Sequence, residues 1–159
     1  MERLWAVGSR LGVGRRRVVG ALMIVAAALP TGTSAQGAAP FKLIVNASNP
    51  VAALSKEQAA KLFYRKQRAW PSGEVVVPVD LAEQAAVRKA FSTRVLGKDA
   101  GAMKGYWQQM IFTGKGVPPI EKASEAEAVA FVAATPGAVG YVAAGTPLPA
   151  GVKSVAYQE

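Results

Sequence analysis

The stretch SKEQAAKLFYRKQRAWPSGEVVVPVD, residues 55–80, predicts a helix that is followed directly by a strand. Ser55 begins the helix, and Gln58 three residues later completes a capping box. Apolar residues then recur at helical spacing up to Phe63, which predicts that one face of the helix is buried. RAWPSG ends the helix. EVVVPVD is an apolar strand, and Pro78 predicts either that this strand lies at a sheet edge or that it ends near Pro78. A helix joined to a strand by a short turn is typical of an α/β domain.

The rest of the chain continues this alternation of helices and strands. We predict a strand at 41–45, helices at 81–97, 99–112 and 124–134, a strand at 138–142 and a final edge strand at 152–157. Within the predicted helix at 99–112, the buried face is formed by Met103, Trp107, Met110 and Ile111. The predicted elements follow the order β-α-β-α-α-α-β-β. The order predicts one domain in which helices pack on a small mixed sheet.

Three helix ends carry local signals of their own. Asp99 is a predicted cap of the helix that follows it, and Ser124 with Glu127 forms a second predicted capping box. Gly97 is predicted to end the helix that starts after Asp80.

The first 35 residues are predicted to be a secretory signal peptide. A basic segment precedes an apolar run at 18–29, which is too short for a permanent bilayer span, and small residues follow it. We expect cleavage after Ala35, a flexible leader at 36–40 and a periplasmic domain at 41–159; an uncleaved anchor is the alternative. Cleavage removes five arginines and one glutamate from 19 basic and 10 acidic residues, so the net charge falls from +9 to 14 − 9 = +5.

The composition excludes most catalytic chemistry. The chain contains no histidine and no cysteine. It therefore has no Ser–His–Asp triad, no cysteine nucleophile, no disulfide and no histidine- or thiolate-bound metal. We predict no enzymatic activity and no cofactor. Positive charges are scattered except in YRKQR, residues 64–68, and an exported protein rarely meets nucleic acid, so no nucleic-acid partner is expected.

Four blocks of sequence occur in the order found in one family. They are VNASNPVAALSKEQAAKLFYRKQRAWPSGEVVVPVD, RKAFSTRVLG, YWQQMIFTGKGVPP and VAFVAATPGAVGYV. In these blocks the chain resembles the short periplasmic phosphate-binding-protein-like domains of phosphate ABC transport. It resembles less closely one lobe of the full two-lobed phosphate-binding proteins. The resemblance implies a single-lobe α/β fold and an exported solute-binding-like protein whose expected ligand is phosphate or another oxyanion.

The resemblance also implies a ligand site at the turn after the second predicted strand. The two-lobed family holds phosphate partly through an Arg-Ser-Asp-Gly-Ser-Gly-Thr-like turn, to which residues 78–84 correspond. Asp80 is retained, whereas Pro78 replaces the arginine and the glycines and hydroxyls are absent. Glu83 would compete with an anion at the start of the following helix. Arg88 is either an anion ligand or the ion-pair partner of Asp80 or Glu83.

Two loops supply further candidate ligand residues. They are Asn46, Ser48 and Asn49 in the first loop and Thr113, Gly114, Lys115 and Gly116 in the second. The first loop follows a strand end, where open α/β sheets place ligand groups, and an Asx-type turn is the alternative. The second either forms an anion-binding nest with one cation or caps a helix before a proline-stiffened turn. It lacks the spacing of a nucleotide-binding P-loop.

Two functions follow from these observations. The first is oxyanion binding through backbone N–H groups, with Asp80, Arg88, Lys115 and the first loop nearby. The second is a ligand-independent interaction module that docks to a membrane transporter or sensor subunit or pairs with itself, because a single lobe cannot close around a ligand as two hinged lobes do.

Overall fold

The computed structural model describes residues 40–159, and the predicted signal peptide and nearly all of the predicted leader lie outside them. The strands are β1 (Phe41–Asn46), β2 (Ala53–Ser55), β3 (Val77–Leu81), β4 (Ile120–Lys122), β5 (Ala138–Ala143) and β6 (Val152–Gln158). The helices are α1 (Lys56–Phe63), α2 (Ala86–Phe91), α3 (Ala100–Phe112) and α4 (Glu125–Ala134), and a π-helical segment at Ser92–Leu96 continues α2. Among the helices of this described part, none combines the length and the apolar character that crossing a bilayer requires.

The strands form one mixed sheet in the order β2-β6-β1-β5-β3-β4. β1 pairs antiparallel with both β5 and β6, whereas β3 runs parallel to β5 and β4. The carboxyl ends of β3 and β5 therefore lie at one end of the sheet, and the carboxyl end of β1 lies at the opposite end. The predicted α/β class, with helices on a small mixed sheet, is confirmed.

The core lies where the helices cover the central strands. β1 and β5 are buried almost throughout, as expected for strands with near-continuous apolar runs. The ring of Phe91 stacks on that of Tyr141 at 3.9 Å between centroids, and Phe63 packs against both. These aromatic contacts fix α1 and α2 on the same part of the sheet.

The helix ends follow the local signals, with one difference. Ser55 and Gln58 form the predicted capping box, and Asp99 accepts a hydrogen bond from the Ala102 N–H at 2.7 Å. At α4 the Ser124 hydroxyl accepts from the Glu127 N–H, but the Glu127 carboxylate accepts from the N–H before the cap rather than from the cap itself. The second predicted box is therefore incomplete.

Several details of the predicted strands and of the predicted core are wrong. β2 and β4 were not predicted, because three-residue strands leave too few residues for a pattern. β6 is not an edge strand, since β2 pairs with its outer side. β3 continues through Pro78, which lies opposite β5 but before the pairing with β4 begins, so the missing N–H interrupts no ladder there. Ile111 is 55% exposed rather than buried.

Candidate functional site

A cleft of about 400 Å³ opens between the carboxyl end of β3, the helices α2 and α3, and the segment that leads to β4. We call it the α2–α3 cleft. Its lining residues are Asp80, Glu83, Gln84, Arg88, Ala100, Lys104, Trp107, Gln108, Ile111, Pro118, Pro119 and Glu121. Asp80 and Arg88 are the two predicted site residues that the fold brings together here.

The floor of the α2–α3 cleft is a buried network around one carboxylate oxygen. Asp80 Oδ1 accepts hydrogen bonds from the Tyr141 hydroxyl and from the Leu81 N–H, the latter at 2.9 Å. The Arg88 guanidinium forms an ion pair with the same oxygen and donates to the Leu81 carbonyl at 2.8 Å. The predicted alternative for Arg88, a partner of Asp80, is therefore present in the structure.

Burial changes the ionisation of both acids in this network. It raises the pKa of Asp80, and the Arg88 charge and the donated hydrogen bonds act in the opposite direction. Burial and the neighbouring Asp80 raise the pKa of the Tyr141 phenol. The phenol therefore keeps its proton and serves as a hydrogen-bond donor to Asp80.

Two polar atoms of the network are not used by these contacts. Arg88 Nε is buried without a hydrogen-bond partner among the described residues. The contacts of Tyr141, Leu81 and Arg88 go to Oδ1 of Asp80, so none of the three uses Oδ2. A buried donor without a partner is unfavourable by about 1–3 kcal/mol. The network thus leaves one buried donor, Arg88 Nε, without a partner among the described residues, and one acceptor, Asp80 Oδ2, that these contacts do not use.

The lining of the α2–α3 cleft carries more acid than base. The lining contains three acids, Asp80, Glu83 and Glu121, against two cations, Arg88 and Lys104. Asp80 already pairs with Arg88, and the Lys104 ammonium lies 3.4 Å from the Glu83 carboxylate. An anion that enters the cleft therefore meets cations that are already paired.

The first candidate loop does not belong to this cleft. Because β1 is antiparallel to β5, Asn46 lies at the opposite end of the sheet from Asp80. Its amide donates to the carbonyls of Val132 and Ala133, both at 2.9 Å, and its Oδ1 accepts from Ser48. The expectation that this loop lies near Asp80 is wrong, and the Asx-type turn is the arrangement present.

Asn49 takes part in the same turn. Its Oδ1 accepts from the Val51 N–H at 3.0 Å, as in an Asx turn, and the residue is fully buried. Its Nδ2 has no hydrogen-bond partner among the described residues. The side chain does not line the α2–α3 cleft.

The second candidate loop ends α3 in a Schellman motif. The Gly114 N–H donates to the Ile111 carbonyl and the Lys115 N–H to the Met110 carbonyl, at 3.0 and 2.9 Å, and Gly114 has a φ of 66°. The Thr113 N–H donates to the helix as well. Three N–H groups of the predicted nest are therefore occupied, and helix capping is the arrangement present.

Lys115 and Gly116 line a second cleft of about 440 Å³, which we call the basic cleft. Its lining residues are Tyr64, Arg65, Lys66, Arg68, Val75, Val76, Tyr106, Trp107, Met110, Gly114, Lys115, Gly116 and Val117. Trp107 lines both clefts. From the sequence, the YRKQR cluster was only a local concentration of charge, and its position in the same cleft as Lys115 was not predicted. The bond between Tyr141 and Asp80 was not predicted either, because no local signal for it exists.

Comparison with known proteins identifies the fold. No family model matches the sequence, and no curated protein matches it. Three solved structures that resemble it are an ABC-type phosphate transport receptor from Vibrio cholerae, a putative phosphate ABC transporter substrate-binding protein with bound phosphate from Clostridium perfringens, and PstS from Borrelia burgdorferi. Their TM-scores are 0.57, 0.59 and 0.58, at identities of 18%, 19% and 12%.

In each comparison the match covers 74% of this chain but only 46%, 44% and 47% of the other chain. The chain thus spans less than half the length of the binding proteins that it resembles. At these identities the likeness concerns the fold alone. The described residues have the α/β fold of one lobe of the phosphate-transport binding proteins.

Proposed function

We propose that this chain is an exported, non-enzymatic binding protein whose α2–α3 cleft holds a small protonated oxyanion such as hydrogen phosphate. The observation that carries the proposal is the pair of unused atoms on the cleft floor, Arg88 Nε and Asp80 Oδ2. A protonated oxyanion offers both an acceptor oxygen for Nε and a hydroxyl donor for Oδ2. The shared fold with proteins of phosphate transport supports the same ligand class.

Selectivity in this cleft comes from the proton and not from net positive charge. A fully ionised sulfate has no hydrogen to donate to Asp80, whereas hydrogen phosphate carries the same charge and has one hydroxyl hydrogen. A site built to pair a hydroxyl disfavours an analogue that lacks one, because a buried acceptor is then left without a donor.

Isothermal titration calorimetry tests this proposal on the protein purified after expression of the full chain. We expect a saturable heat with phosphate and none with sulfate or with glycerol as a neutral control. The variant Lys115→Ser, which changes the basic cleft, should retain the phosphate heat. An absence of heat with millimolar phosphate, or equal heats with phosphate and sulfate, would reject the proposal.

A second candidate function is a protein interaction module that does not depend on a small ligand. The carboxyl end of α3 favours it, because Phe112 is 93% exposed and Ile111 next to it is 55% exposed. Adjacent exposed apolar residues mark contact sites more often than single ones do. A transporter or sensor subunit at the membrane is the proposed partner, and crosslinking in an envelope fraction, with Phe112→Ser as the comparison, tests this candidate.

Export to the periplasm through cleavage after Ala35 completes the proposed function. Intact-mass spectrometry of the protein recovered from a periplasmic extract tests this part. We expect a chain that starts at Gln36. Recovery of the complete chain from the membrane fraction would favour the anchor instead.

A further inference from the structure

The basic cleft has four cations and no acid among the described residues that line it. The four cations are Arg65, Lys66, Arg68 and Lys115. None of these four cations forms an ion pair within residues 40–159. Glu74, a chain neighbour of the lining residue Val75, is exposed and does not line the cleft.

The four cations come from two helix ends of the same kind. α1 ends like α3: the Arg65 N–H donates to the Leu62 carbonyl at 3.0 Å and the Lys66 N–H to the Lys61 carbonyl at 2.9 Å. Cations near helix carboxyl ends are favoured by the helix dipole. That effect accounts for a cation at each end, but it does not require both ends to share one cleft.

Arg65 has an unusual backbone conformation at the end of α1. It adopts a left-handed conformation with a φ of 55°, in the place where the equivalent motif at α3 has Gly114. Glycine is the usual residue there because other residues are strained in this conformation. Arg65 Nη1 reaches across to the carbonyl of Pro118, at 3.4 Å. An arginine that lines the basic cleft thus occupies a backbone conformation that favours glycine.

Apolar side chains stand beside these cations. Val75 is 67% exposed and Val117 is 58% exposed, and both line the basic cleft. The ring of Tyr64 lies under the Lys66 ammonium, 5.5 Å from its centroid, and packs edge-on against Tyr106. Exposed valines and tyrosine rings have nothing to contact on an inorganic anion, whereas they suit the side chains of a polypeptide.

We propose that the basic cleft binds an acidic segment of a protein partner, one in which apolar side chains alternate with carboxylates. Charge complementarity would speed association, and the valines and tyrosines would hold the apolar side chains. The proposal rests on the second candidate function and specifies the surface and the partner chemistry for it. It does not depend on oxyanion binding in the α2–α3 cleft.

Nuclear magnetic resonance titration of the isotope-labelled protein, purified after expression of the full chain, tests the proposal. The probe is a short peptide of alternating Glu/Asp and Leu/Phe residues, and its matched control carries lysine at every acidic position. We expect amide shifts at residues 64–68 and 114–117 with the acidic peptide alone, and affinity that falls as salt rises. Inorganic phosphate and vesicles containing phosphatidylglycerol are titrated in parallel.

A pair of triple variants separates the cleft from net charge. Replacing Lys66, Arg68 and Lys115 by serine should weaken peptide binding about tenfold, because each exposed ion pair contributes modestly. Replacing the exposed residues Lys56, Lys89 and Lys98 by serine removes the same charge outside the cleft. This control should weaken binding by about twofold or less, because salt screens distant charges.

Several outcomes would overturn the proposal. Equal weakening by the two triple variants would assign the effect to net charge. Shifts confined to the α2–α3 cleft would place the peptide elsewhere, and binding to vesicles without binding to the peptide would make this a membrane-facing surface. Shifts at Ile111 and Phe112 with none at 64–68 would support the interaction module but reject the basic cleft as its binding surface. No shifts together with no crosslinked partner would reject both the interaction module and the basic cleft.

Discussion

The two clefts on either side of Trp107 have nearly the same size and opposite electrostatics. The α2–α3 cleft has three acids in its lining, and both of its cations, Arg88 and Lys104, lie in ion pairs. The basic cleft has four cations without acidic partners among the described residues. The difference teaches that the number of cations in a sequence says little about anion binding. What matters is which of those cations the fold has already neutralised.

The largest expected effect is on the free energy of unfolding, which should depend strongly on a cation of the α2–α3 cleft and weakly on a cation of the basic cleft. Arg88→Met should lower the free energy of unfolding by about 3–5 kcal/mol, because it leaves Asp80 buried without its cation. Lys115→Met in the basic cleft should change it by about 0.5 kcal/mol or less, since the residue is exposed. Urea unfolding measures both. The double variant Asp80→Asn with Arg88→Met should recover much of the loss, and a loss for Arg88→Met no larger than that for Lys115→Met would contradict the buried ion pair.

A smaller effect concerns the two helix ends that meet in the basic cleft. Arg65→Gly should raise the free energy of unfolding by about 0.5–1 kcal/mol, and Gly114→Arg should lower it by about 1 kcal/mol, because only glycine adopts this conformation without strain. A Cβ at Gly114 would meet no atom within 4 Å, so the expected loss is conformational. Thermal and urea unfolding check both variants. A loss of stability in Arg65→Gly would show that the arginine has a structural role.

The smallest effect concerns the rim of the α2–α3 cleft. Glu121→Gln removes an acid from the lining and should strengthen phosphate binding about two- to fivefold, as expected for one exposed charge. Glu57→Gln removes the same charge from the exposed first turn of α1 and serves as the control. Calorimetry at low salt measures both. Unchanged affinity in Glu121→Gln would mean that phosphate does not enter this cleft.

The parts of the fold that were predictable from the sequence are those encoded by neighbouring residues. The caps at Ser55 and Asp99 and the positions of the long helices follow from side chains three or four residues apart. The strands β2 and β4 escaped prediction because three residues are too few to show a periodic pattern. Ile111 was expected inside because the periodicity of α3 continues beyond the point where the core ends.

The candidate site divides in the same way. Asp80 was predicted from a family resemblance, and Arg88 was predicted because it lies in the helix that follows Asp80. The structure places the two in contact. The loop at Asn46 was grouped with them on a general rule about strand ends, and the antiparallel pairing of β1 with β5 puts it at the other end of the sheet. Strand direction is not encoded in a strand's own residues.

The sequence by itself determined the helix caps, the apolar faces and the absence of histidine and cysteine chemistry, because each depends on residue identity or on neighbours along the chain. Only the tertiary structure decided which charges are neutralised. Tyr141 meets Asp80 across 61 positions, and Lys115 joins Arg65 in one cleft because α1 and α3 end side by side. Electrostatic energy depends on distance in space and on burial, and the path of the folded chain sets both.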